Sequence, residues 1–270
     1  IDNLKQMGVR FETNFIVGTT ATVDDLKKEG YEAFFVGSGA GLPKFMNIPG
    51  ENFRRIFSSN EYLTRVNLMN AANPDFDTPV FSGNKVAVIG GGNTAMDSVR
   101  TSKRLGAERS MIIYRRSIEE MPARVEEVKH AQEESIEFMN LNSPVEYFAD
   151  EKGNVNKMLV QKMELGEPDS SGRRRPVPLE GSEYEVEVDT VVVAIGVSPN
   201  PLIPASMPEL DVTDWGTIKV DSESMQASVE GIFAGGDIVR GGATVILAMG
   251  DGRKAAKGMH EYIKSKVGKK

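Results

Sequence analysis

Residues 85–100 read KVAVIGGGNTAMDSVR, and no other stretch constrains the fold as tightly. Lys85 to Ile89 read as a strand. Three glycines follow, and a helix is expected over 93–105. A second strand at 111–114 (MIIY) and a helix at 122–134 complete the βαβ unit of a parallel sheet. Gly90, Gly92 and Ala95 fall on the pattern G-x-G-x-x-A, in the one context that makes the pattern specific, strand before and helix after. Gly90 lets the chain turn off the strand, Gly92 lets backbone approach a pyrophosphate, and Ala95 lets the helix pack on the sheet. The free N–H groups at the helix start, at the positive end of its dipole, then receive the diphosphate. The expected contacts run through Gly90, Gly91, Gly92, Asn93, Thr94 and Ala95. A tight turn without ligand is the rival reading.

The second strand chooses the nucleotide. A site for the unphosphorylated dinucleotide places Asp or Glu about 20 residues beyond the glycines, to bond the ribose hydroxyl. Here the strand ends in Tyr114-Arg115-Arg116. An arginine holds a 2′-phosphate through charge-assisted hydrogen bonds worth about 1.5–3 kcal/mol each, so NADP(H) is the expected cofactor. Solvated arginines, or arginines paired with Glu119 and Glu120, are the alternative.

Around this block, strands are expected at 11–17 and 33–36, flanking a helix at 23–29 that Thr22 caps. Ser58 with Glu61 suggests a capping box for a helix near 60–70, ended by Asn73-Pro74. Three strands at 136–141, 144–149 and 155–165 suggest an antiparallel meander, and 166–182 a polar excursion. The strand 188–195 is apolar on both faces, as an inner parallel strand is. Further strands near 217–220 and 231–234 precede a closing helix over 244–264.

Composition removes several classes. Cysteine is absent and histidine occurs twice, so no disulfide, thiolate zinc site or cysteine-held cluster lies within this chain, and no metal site is assigned. The net charge of −7 gives no basic surface for nucleic acid. No apolar run approaches the roughly 18 residues of a membrane span, so no membrane contact is expected and the setting is read as cytoplasmic. The start at Ile1 is read as that of a segment. His130 and His260 are assigned no role. Leu247 to Met249 are read as core, and Glu126-Glu127 and Glu133-Glu134 as the wet side of a helix. With no acid–base constellation in the sequence, no catalytic side chain is assigned.

A last motif, GIFAGGDIVRGGATVILAMGDGRKAA, ends a strand in Gly235-Gly236-Asp237 and enters a helix at Thr244. An acid past a strand end accepts from sugar hydroxyls, and the first helical amides face an electron-rich ring. A loop with an Asp cap fits equally well.

Together with SSNEYLTRVNLM, YRRSIEEMPAR, MELGEPDSSGRRRPVP and VDTVVVAIGVSPN, these motifs resemble the small (beta) subunit of NADPH-dependent glutamate synthase. Its relatives include flavoprotein subunits of sulfide dehydrogenase and of ferredoxin:NADP transhydrogenase. The resemblance implies an α/β fold of two Rossmann-like dinucleotide-binding domains, glutathione/thioredoxin-reductase-like, with an antiparallel β-meander. The NADP domain (49–200) is inserted in a truncated FAD domain (1–48 and 201–270). It further implies domain crossovers at Gly37-Ser38-Gly39 and Ala194-Ile195-Gly196. An FAD contact is implied through Gly236 and Asp237, and a helix start at Ala243, Thr244 and Val245 facing the flavin.

The implied activity is hydride transfer between NADP(H) and FAD. Electrons then pass to iron–sulfur clusters in an upstream domain or a partner, the glutamate synthase large (alpha) subunit or an equivalent acceptor. The flavin's own G-x-G-x-x-G is missing, so FAD is expected to bind this segment poorly and the segment alone to be inactive. A sibling electron-transfer subunit, or a non-catalytic NADPH-binding module, are the other readings.

Overall fold

The computed structural model describes residues 1–81, 83–169 and 172–267. The chain divides into two compact units. One is built from Ile1–Leu42 and Val197–Lys270, the other from the continuous stretch Pro43–Gly196.

The first unit opens with α1 (Asp2–Gln6), α2 (Val23–Lys28), β1 (Phe34–Val36) and β2 (Leu42–Pro43). Thr22 caps α2 as expected: its hydroxyl accepts from the Asp25 amide, and Asp25 accepts from the Thr22 amide. The expected strand at 11–17 is absent. Residues 11–16 are exposed, Asn14 takes φ 58°, and only Val17 forms a single bridge, to Ala21. Apolar alternation makes a strand only where a neighbouring strand takes up its amides.

The second unit contains β3 (Ile56–Ser58), α3 (Ser59–Leu63), β4 (Lys85–Ile89), α4 (Asn93–Arg104), β5 (Arg109–Tyr114), α5 (Val125–Glu133), β6 (Glu137–Asn140), β7 (Asn142–Ala149), β8 (Val155–Pro168), β9 (Arg174–Pro178), β10 (Tyr184–Glu187) and β11 (Thr190–Val193). Ser58 accepts from the Glu61 amide, but α3 is short. It passes into one π turn over Thr64–Leu68, and Glu61 pairs with Arg65 instead of closing a capping box. Five strands form a parallel sheet in the order β3-β11-β4-β5-β6. β11 lies inside it, as its two apolar faces require.

The expectation for 136–141 is corrected: β6 is the parallel edge beside β5, not the first strand of a meander. The antiparallel sheet instead has the order β10-β8-β7, with β9 also paired to β8, so part of the expected excursion at 166–182 is regular hairpin.

The two sheets explain the alternation along the parallel strands. Val86, Val88, Ile112, Tyr114 and Val192 face a core shared with Met96 and Val99 of α4 and Tyr62 of α3. Their neighbours Ala87, Ile89, Met111, Ile113, Val191 and Val193 face Tyr147, Met158 and Val160 of the antiparallel sheet. Each Val or Ile so buried contributes about 1.5–3 kcal/mol relative to exposure. With both faces covered, a polar substitution on either face of β4 is costly.

The chain returns to the first unit through β12 (Val197–Ser198), α6 (Leu202–Ser206), β13 (Ile232–Ala234), α7 (Asp237–Arg240) and α8 (Val245–Val267). β13 pairs in parallel with β1. Ile232 and Ala234 pack with Val36, Val23 and Ile238, and Phe233 packs with Met225 and Ala255 of α8. The reading of Leu247–Met249 as core is corrected, since Leu247 and Met249 are exposed. No helix among the described residues is long and apolar enough to cross a membrane.

Candidate dinucleotide site

The sheet order reverses at β4, for the chain goes on to β5 on one side while β11 lies on the other. Open α/β sheets bind ligands at such a switch point, at the carboxyl ends of the strands. The glycine turn lies there. The Gly90 amide donates to the Ile113 carbonyl of β5, and the Ala194 amide donates to the Ile89 carbonyl.

The three glycines are required for different reasons. Gly90 has φ 141°, and a Cβ on it would lie 2.3 Å from the Ala194 carbonyl oxygen. A Cβ on Gly91 would lie 2.7 Å from the Tyr114 ring. Gly92 has an ordinary φ of −90°, and nothing of the protein lies within 4 Å of where its Cβ would be. The fold therefore explains the first two glycines and gives the third no packing role, which is what a backbone kept bare for a ligand requires. Ala95 is fully buried between α4 and the sheet.

Gly92 is the N-cap of α4, and no side chain caps that helix. The amides of Asn93 and Thr94 have no intrahelical acceptor, the Ala95 amide turns back to the Gly92 carbonyl, and this end carries the positive pole of the dipole. Asn93 and Thr94 are exposed at this start. The Asn93 side chain accepts from the Arg124 amide at 2.9 Å, and the Ala123 amide donates to the Gly91 carbonyl at 3.0 Å. The loop after β5 is thereby fixed across the turn.

The two arginines part company. Arg115 is exposed at the end of β5. Its pKa is pushed down, first by desolvation and then by the neighbouring Arg116 charge. Arg116 is only 5% exposed; its Nε donates to the Arg174 carbonyl and Nη2 to Asp169 Oδ2, both at 2.7 Å. The expected pair of phosphate-gripping arginines is corrected to that extent, because Arg116 is already committed to a carboxylate. Glu120 pairs with Arg174 at 2.9 Å, not with Arg115 or Arg116.

The helix face read as wet also does more. Glu127 of α5 and Glu134, its C-cap, both pair with Arg100 of α4, and Glu134 also with Arg104. His130 and His260 are exposed.

In the first unit, Gly39 (φ 70°) follows β1, while in the second Ala194, Ile195 and Gly196 (φ 108°) follow β11. Gly236 is the N-cap of α7, and Asp237 accepts from the Ala243 amide at 3.1 Å, closing its own loop. Thr244 and Val245 are exposed, and Val245 and Ile246 stand 75% and 80% open at the start of α8. The sequence reading missed Asp251. It is 1% exposed, accepts the Gly236 amide at 3.1 Å, and takes both Nε and Nη2 of Arg240 at 2.6 Å. The Arg240 hydrogen bond is the main cause that holds its carboxyl below the ordinary value. Spacing carried no signal for this acid, since it lies in mid-helix. A cavity of about 570 Å³ in this unit is lined by Phe15, Val17, Leu26, Phe34, Val36 and Leu202 among others; it reaches Gly37 and Ser38 of the expected crossover, but not Gly39, Asp237 or Thr244.

The sequence profile of the pyridine nucleotide-disulphide oxidoreductase family matches residues 3–252. The chain belongs to this family. Within it, the chain is 38% identical to a putative glutamate synthase [NADPH] small chain of Cereibacter sphaeroides, over 97% of this chain and 63% of the relative. It is 37% identical to the glutamate synthase [NADPH] small chain of Azospirillum brasilense, over 98% and 55%. It is 39% identical to the NADP(+)-dependent formate dehydrogenase subunit beta of Moorella thermoacetica, over 98% and 36%. The resemblance read in the sequence is borne out, and the chain spans about half to two thirds of the glutamate synthase small chains.

Among solved structures, FprA from Mycobacterium tuberculosis aligns with TM-score 0.74 at 20% identity, over 93% of this chain and 68% of that one. The thioredoxin reductase of T. acidophilum aligns with TM-score 0.62 at 21% identity, over 86% and 66%. These likenesses are of fold. The family's name refers to disulphide chemistry, for which this chain has no cysteine.

Proposed function

We propose that the chain is the NADP(H)-binding part of a flavin-dependent NADPH oxidoreductase of the glutamate synthase small-subunit type. The observation that carries this reading is the bare backbone at Gly92, at the uncapped start of α4 and at the switch point of the sheet. The amides from Gly91 to Thr94 hold the diphosphate, since those of Gly90 and Ala95 are taken by the Ile113 and Gly92 carbonyls. Arg115 favours the 2′-phosphate, and the chain carries no Asp or Glu at the end of β5 itself, where a ribose-binding carboxylate would stand; the nearby Asp169 is neutralised by Arg116.

Ala194 to Gly196 in the second unit, and Gly39, Gly236, Asp237 and Ala243 to Val245 in the first, are assigned to FAD or to the passage between domains. Asp237 supplies an acceptor for sugar hydroxyls, and the apolar start of α8 a seat for an aromatic ring system. FAD held by these residues would supply a hydride acceptor for the reduced nicotinamide and a donor of single electrons to iron–sulfur centres. The chain's own work is to bind and orient, which suits the lack of an acid–base pair.

Relatives named as small chains and beta subunits support an electron-accepting partner subunit. The finer assignment is the glutamate synthase large (alpha) subunit, in a cytoplasmic setting where NADPH is held. Titration of the protein with NADPH and NADH, read by nicotinamide fluorescence, tests the reading. NADPH is expected to bind at least tenfold tighter. Equal affinity would remove the NADP assignment, and Arg115→Ala is expected to weaken NADPH while sparing NADH.

A further inference from the structure

Arg116 is adjacent to Arg115 but is tied to a carboxylate, and the fold brings other arginines of the chain to the same strand end. After β8 the backbone turns back at once: the Gly172 amide donates to the Asp169 carbonyl, the Asp169 amide to the Arg173 carbonyl, and Pro168 pairs with Arg174. Two ion pairs bolt this hairpin to the loop after β5. Asp169 takes the buried Arg116, 53 residues away in the chain, and Glu120 takes both the backbone amide and Nε of Arg174 through one oxygen. Arg173 lies between the bolted residues. The field at Arg115 agrees with this placement: after desolvation, Arg116 and then Arg173 oppose its charge, while Tyr114 and Asp169 favour it. Asp169 offsets one of the three guanidinium groups gathered here, and the positive charge that remains at the strand end suits an anion.

We propose that the cations selecting the 2′-phosphate are Arg115 and Arg173, and that Arg116 is a positioning residue that holds the β8–β9 hairpin against the strand end. This rests on the NADP(H) reading and moves the second contact out of the Rossmann core onto the antiparallel sheet. The run Arg173-Arg174-Arg175, which the fold alone gives no reason to concentrate, then has a use in its first member.

Calorimetry with adenosine 2′,5′-bisphosphate and with 5′-AMP tests the two layers separately. The unaltered protein is expected to prefer the bisphosphate at least tenfold. If it does not, the NADP(H) reading fails at its root and the assignment of both cations falls with it. Given that preference, Arg173→Ala should weaken the bisphosphate about tenfold or more and leave 5′-AMP within twofold. An unaffected bisphosphate affinity in Arg173→Ala, beside a loss in Arg115→Ala, overturns the inference alone. Asp169→Asn keeps all three arginines but releases Arg116. Weaker bisphosphate binding supports positioning, whereas equal or tighter binding, as expected when a negative charge merely leaves the site, overturns it.

Discussion

The chain turns twice from a parallel strand through glycines into a helix, at Gly90–Ala95 and at Gly235–Asp237, and the two turns are chemically opposite. The first leaves the start of a twelve-residue helix uncapped, with no protein atom near the Gly92 Cβ position. The second satisfies itself: Asp251 takes the Gly236 amide and the Arg240 guanidinium, and Asp237 takes the Ala243 amide. Glycines at a strand end supply a bend. Whether the bend presents amides to an anion or hides them depends on acids that arrive from elsewhere in the chain.

The largest effect that would break this contrast is in the framework of the first turn. Gly90→Ala places a Cβ against the Ala194 carbonyl at φ 141°, and should cost at least about 3 kcal/mol, seen as a large drop in the urea midpoint. If the variant unfolds like the parent, the turn is not held as described.

In the second turn, Asp251→Asn leaves Arg240 without its carboxylate and should cost about 2 kcal/mol, with faster hydrogen exchange at the Gly236 amide. Because the folded state lowers the Asp251 pKa from 3.8, its contribution is fully present above that value and is lost as the pH falls further. The variant should therefore lose part of its acid sensitivity. Unchanged acid unfolding would show the pair to be idle.

Gly92→Ala sharpens the comparison from the other side. It should move stability by less than about 0.5 kcal/mol. NADPH affinity should fall at least tenfold, about 1.4 kcal/mol, because the methyl occupies the space kept for the diphosphate. Normal binding of NADPH by this variant would make Gly92 an incidental glycine. Smallest is Glu134→Gln, which removes the carboxylate shared by Arg100 and Arg104 between the helices flanking the first turn. A loss of about 1 kcal/mol is expected, with no change in nucleotide affinity. A change in affinity would mean that these ion pairs reach the site.

The central βαβ block was legible because its signals agree: β4 covers the residues read as a strand, and α4 stops one residue short of its expected end. The strand expected at 11–17 failed because a strand exists only where another lies beside it. β6 was given to the wrong sheet for a related reason, since four residues of mixed polarity do not state which neighbour they will pair with. The apolar start of α8 was read as core because Leu and Met are usually buried, whereas here much of it stands open to solvent.

Local rules acting within a few residues settled which segments bend, which run as buried strands, and where a helix start is left with bare backbone. The tertiary structure decided which charges are already spent. Arg116 and Arg115 are neighbours of identical type, yet one is buried against Asp169 and the other faces outward. That distinction arises only when the β8–β9 hairpin folds back onto the end of β5. Electrostatic partnership acts through space, and a carboxylate far along the chain can satisfy one guanidinium and leave the next to a ligand.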